Sequence, residues 1–108
     1  MLDLVTIALE AHSDERNHHR RYEVSVGRDL LDDWVVTVRY GRVGWPLREV
    51  RFGYPDVETA RTLLTERLSR RLSAPRRIGC AYRIRELRAS GRAPVSEWID
   101  PELVMSMS

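Results

Sequence analysis

A chain of 108 residues with 43% hydrophobic content has the size and apolar fraction of one domain with one modest core, with no room for a second. Its 18 basic side chains are all arginine and face 16 carboxylates, so the net charge of +2 says little about partners. A single cysteine, Cys80, excludes an internal disulfide and a cysteine-based zinc site within the chain, which points to a reducing compartment.

The N-terminus carries an acid where a signal peptide needs positive charge, and its apolar run is too short to span a bilayer. The expectation is a soluble cytoplasmic protein with no membrane contact. Val5, Ile7 and Leu9 alternate with Thr6 and Ala8, the period-two pattern of a half-buried strand ending near His12. Polar residues from Ser13 to His19 predict a connection. Tyr22, Val24 and Val26 give a second strand that stops around Gly27. After Leu30-Leu31-Asp32-Asp33, a third strand places Trp34, Val36, Val38 and Tyr40 on one face and Val35, Thr37 and Arg39 on the other.

Gly41 and Gly44 bracket Arg42-Val43 in a predicted turn that needs positive φ, prolonged by Trp45-Pro46. Val50 and Phe52 form the inner face of a fourth strand, with Arg48 pointing the same way, and Gly53 and Pro55 stop it. From Asp56 the period changes: Val57, Ala60, Leu64, Leu68 and Leu72 lie on one stripe of an amphipathic helix, with Asp56 as its N-cap. Pro75 ends that helix, Arg76 and Arg77 follow in a connection, and Cys80 to Leu87 reads as a last strand with Tyr82 and Ile84 inward and Arg83 and Arg85 outward. The predicted domain occupies residues 1–94. Residues 95–108, with Trp98 and Ile99, form a C-terminal extension packed on the domain or at a dimer interface, and Ser106 to Ser108 are expected to be loose. The fold expected is α+β, a mostly antiparallel sheet of five to six strands with one helix against it.

Charge is unevenly spread. Residues 1–60 carry 8 Arg against 11 Asp and Glu, residues 61–92 carry 10 Arg against 2 Glu, and residues 93–108 carry three acids. Guanidinium groups present a fixed fork of donors that suits phosphate. A GC-rich genome explains the absence of lysine equally well, but not the clustering. His12, His18 and His19 near Asp14 and Glu15 are of metal-ligating type, yet a flexible polar loop does not hold a tetrahedral ion, so no metal is expected. Cys80 reads as a small core residue. The chain has no glycine-rich nucleotide fingerprint, no serine nucleophile motif and no carboxylate pair with a reason to be close, so neither catalysis nor a cofactor is expected.

Strand, strand, strand, glycine turn, strand, helix, strand is also the order of a known family. Tyr22-Glu23-Val24-Ser25-Val26, then Trp34 through Tyr40-Gly41-Arg42-Val43-Gly44, then Phe52 before a helix, then Arg76-Arg77-Ile78-Gly79, resemble the WGR domain from about Ala8 to Tyr82. That domain is named for a Trp-Gly-Arg triplet followed by Val or Ile and Gly. Asn17 and Arg20 fall where small bacterial members carry Asn and Arg. The family includes short bacterial proteins and a domain of DNA-dependent poly(ADP-ribose) polymerases, where it holds DNA near a break with the triplet loop at the terminal nucleotide and its 5′ phosphate.

The resemblance implies a DNA-binding module that uses Tyr40, Gly41, Arg42 and Gly44, with Asn17 and Arg20 beside them and Arg67, Arg70, Arg71, Arg76 and Arg77 capturing the backbone. Three positions depart from the pattern: Tyr40 replaces Trp, Trp45-Pro46-Leu47 replaces a glycine-containing stretch, and Cys80 follows Gly79 where an aromatic residue is common. The rival expectation is a protein-interaction or homodimer module built on the Trp45-Pro46 loop and the tail around Trp98.

Overall fold

The computed structural model describes residues 2–31, 33–90 and 93–108, without the side chains of Leu2, Arg77 and Ile78. Among these residues the elements are β1 (Leu2–Ser13), β2 (His18–Arg28), β3 (Trp34–Arg42), β4 (Arg48–Tyr54), α1 (Val57–Arg71), α2 (Ala74–Ile78), β5 (Arg83–Ala89), α3 (Val95–Trp98) and α4 (Pro101–Ser106). The strands form one antiparallel sheet in the order β4-β3-β2-β1-β5, with α1 packed against β2, β3 and β4. The fold is the α+β arrangement the alternation predicts.

Register sorts the side chains into two faces. Ile7 pairs with Val24, Val24 with Val38, and Val38 with Val50, so the alternating apolar residues of four strands stack on one side. There they meet Ala60, Leu64 and Leu68 of α1. Asp56 caps that helix, accepting from the Thr59 amide at 2.8 Å, and removes one of the unpaired donors at its start.

Several boundaries differ from those expected. His18 and His19 belong to β2 rather than to a loop, because the hairpin zips up to Ser13 opposite His18. His12 and His19 face each other with their Nδ1 atoms 2.9 Å apart, and His12 Nε2 lies 2.7 Å from Glu10. Gly53 does not stop β4, which runs on to Tyr54 opposite Trp34. Leu72 is 43% exposed at the helix end instead of completing the apolar stripe. Pro75 opens the short α2, so Arg76 lies in a helical turn and not in an extended connection. The last strand begins at Arg83, leaving Cys80 and Tyr82 before it, and Cys80 is half-buried outside any strand.

The C-terminal residues are not loose. Trp98, Ile99, Leu103 and Met107 are buried in the same core as Leu64, and Met107, 1% exposed, accepts from the Ile84 amide at 2.7 Å through its carbonyl. Trp98 packs against Trp34 with ring centroids 5.9 Å apart. Loop-like composition around residues 89–94 conceals this return because the apolar residues that anchor it are widely spaced. Among the described residues no helix is long and apolar enough to cross a membrane.

Candidate nucleic-acid interface

The β3–β4 connection is a tight turn in which the Trp45 amide donates to the Arg42 carbonyl at 3.1 Å and Gly44 sits at φ 82°. Positive φ at the third residue of such a turn favours glycine. The Val43 amide donates to the His19 carbonyl at 2.9 Å, which fixes the turn beside the β1–β2 hairpin.

That hairpin positions Arg42. Asn17 adopts φ 52° at its tip and accepts from the Arg42 guanidinium twice, through its side-chain oxygen at 3.1 Å and its carbonyl at 3.3 Å. Arg42 makes no ion pair with the described residues. Two neutral acceptors orient its charge without cancelling it, so the charge remains for an incoming anion.

On the helix side the sheet's end carries the rest of the group. Register places Arg20 opposite Arg42, Tyr22 opposite Tyr40, and Tyr40 opposite Arg48. Arg67 and Arg71 descend from the last turns of α1. Their guanidinium carbons lie 5.2 Å from the Phe52 ring centroid and 3.9 Å from that of Tyr22. Two adjoining clefts result, of about 300 and 240 Å³, with Tyr22, Tyr40 and Arg71 lining both. No described carboxylate lies within ion-pairing distance of Arg20, Arg48, Arg67 or Arg71.

The opposite face of the sheet is also rich in arginine, but there the charge is matched. Arg21 bonds Glu10 at 2.6 Å and Glu23 at 2.7 Å, Arg39 lies between Glu23 and Glu49, Arg51 meets Glu49, and Arg88 meets Glu86. Glu23 first, then Glu10, raise the Arg21 pKa above its ordinary value. The hydrogen bond from His12 is the largest influence lowering that of Glu10, with Arg21 acting in the same direction against burial.

The structure therefore brings together Asn17, Arg20, Tyr40, Gly41, Arg42, Gly44, Arg67 and Arg71 at one end of the molecule. The profile of the WGR domain matches residues 5–69, from β1 to near the end of α1. The chain belongs to the WGR family. No curated protein and no solved structure matches it. WGR domains are non-catalytic, and in poly(ADP-ribose) polymerases they bind nucleic acid.

In this WGR chain Arg70 and Arg76 are exposed but line neither cleft, and the Arg77 side chain lies outside the described residues. The described arginines of segment 61–92 do not form one surface. Arg61 pairs with Glu58, while Arg85 and Arg88 pair with Glu10 and Glu86 on the opposite face. Tyr40, expected at the core edge, is 38% exposed and lines both clefts. Sequence reasoning left Tyr22, Phe52 and Tyr82 out of the site, because alternation marks such residues only as inward-facing. Their place at the site follows from the register, which sets Tyr22 opposite Tyr40.

Proposed function

We propose that this chain is a non-catalytic DNA-binding module that recognises duplex ends, nicks or gaps through phosphate contacts. One observation carries the reading: Arg42 is aimed by Asn17, not neutralised by a carboxylate, at a corner where four further arginines lack acidic partners among the described residues. The uncompensated arginines attract the phosphodiester backbone. Gly44 then lets the turn approach a terminal phosphate, onto which Arg42 forks. Such contacts position the protein without reading sequence.

Fluorescence anisotropy with intact, nicked and 5′-phosphorylated gapped duplexes tests this. The native chain should favour nicked and gapped DNA, and Arg42→Glu should abolish the preference. Equal binding to all three, unchanged by the substitution, contradicts it. The rival interaction module loses one of its two features, since Trp98 and Ile99 are covered by the chain's own core. Trp45, 66% exposed, borders the turn that the DNA reading already uses.

A further inference from the structure

The larger cleft is more than a phosphate seat needs. Its floor is apolar, formed by Val38, Val50 and Phe52, while its wall is Arg67 and Arg71. At about 300 Å³ it is at the small end of ligand pockets, enough for one ring system and too small for a base pair. The Tyr22 hydroxyl and Arg71 Nε are both buried without a hydrogen-bond partner, and Tyr22 is only 2% exposed. Buried polar atoms are nearly always satisfied, and these two, like Thr37 Oγ1, Arg61 Nε and Trp98 Nε1 elsewhere among the described residues, are not. The second lobe, across Tyr40 and Arg71, adds Arg20, Arg21, Gly41 and Tyr82. Arg71 and Tyr82 lie beyond the segment that matches the family profile, so the cleft is completed by parts of the chain that the match does not cover.

An inorganic anion would leave the apolar floor uncovered, and a neutral apolar ligand would leave the arginines unmatched. A flat ring with a phosphate attached meets both requirements. We infer that the paired clefts seat one unpaired nucleotide at a DNA terminus, its base against Val50 and the edge of Phe52 beside Arg67 and its phosphate at Arg20, which lies opposite Arg42 in register. Every base has a face to stack on, so the seat tolerates any base. This rests on the DNA-end reading above and adds to it a preference for ends with a splayed nucleotide over blunt ends.

Three 5′-phosphorylated duplexes separate the possibilities on the native chain: blunt, with one unpaired 5′ nucleotide, and with an abasic residue at that position. The unpaired nucleotide should bind about tenfold or more tightly than the other two, the scale of one stacked base. Val50→Trp fills the apolar lobe from an exposed edge-strand position without removing an arginine. It should erase that preference, so that the base-bearing and abasic ends bind alike. Equal affinity for the base-bearing and abasic ends overturns the base seat, while DNA-end binding itself still stands. Failure to bind any of the three duplexes at low salt overturns the end-binding reading and the seat with it.

Discussion

Both faces of the sheet carry arginine and differ in what faces it. On the open face Arg21, Arg39, Arg51 and Arg88 each meet a glutamate across or along the strands. At the helix-side end Arg67 and Arg71 lie over aromatic rings and Arg20 and Arg48 are exposed, with no acid within ion-pairing distance among the described residues. A matched arginine holds the fold's charge in balance, whereas an unmatched one is available to a polyanion. The number of arginines on a surface therefore does not identify the interface, and the arrangement of carboxylates does.

Charge reversal on each face is the strongest way to break this comparison. Arg20→Glu should weaken binding to a 5′-phosphorylated gapped duplex by about 10- to 100-fold, the scale of one charge-assisted contact. Arg51→Glu changes the net charge identically and should alter affinity by less than about twofold. Equal losses in an anisotropy titration would show that only net charge matters.

Stability should respond in the opposite sense. Arg21→Gln leaves Glu10 and Glu23, both largely covered, without their shared cation. Because the pair is partly exposed, the cost should be about 1–3 kcal/mol, below that of a fully buried pair. Urea denaturation measures the loss.

The salt response sharpens the comparison further. Engagement of four to five phosphates predicts a slope of about −4 in log affinity against log salt, and Arg67→Gln should reduce it by about 0.9. Arg88→Gln should leave the slope as it was.

The smallest effect is in pH. The Glu10 carboxyl is held below its ordinary value of 4.5 in the folded chain, first by His12 and then by Arg21. Its contribution is complete above the unfolded value and is lost as pH falls through the folded one. The melting temperature should therefore decline below pH 4.5, and Glu10→Gln should flatten that decline.

Much of the fold was legible in the residues. Alternation in Trp34–Tyr40 and the switch of period at Asp56 fixed β3 and α1, since both elements bury one face against the other. The tail was not, because Trp98, Leu103 and Met107 are spaced for two short helices, with no periodic run to mark them. The site was half legible. The turn glycines and Arg42 stand in the motif, but the partnering of each arginine depends on register. Glu10 and Arg21 are eleven residues apart and directly paired across the hairpin. Local charge balance therefore pointed to residues 61–92, although Arg20 and Arg42 come from the acidic half and Arg85 and Arg88 fall on the neutralised face.

Backbone amide shifts of the folded chain, recorded while a 5′-phosphorylated gapped duplex is added, test directly whether the uncompensated end is the DNA surface. The account predicts that Arg20, Tyr40 through Gly44 and Arg67 through Arg71 move, while Thr6, Ser25 and Thr37 at the centre of the open face stay in place. Movement centred on those three residues, with the Gly41–Gly44 turn unaffected, would contradict it.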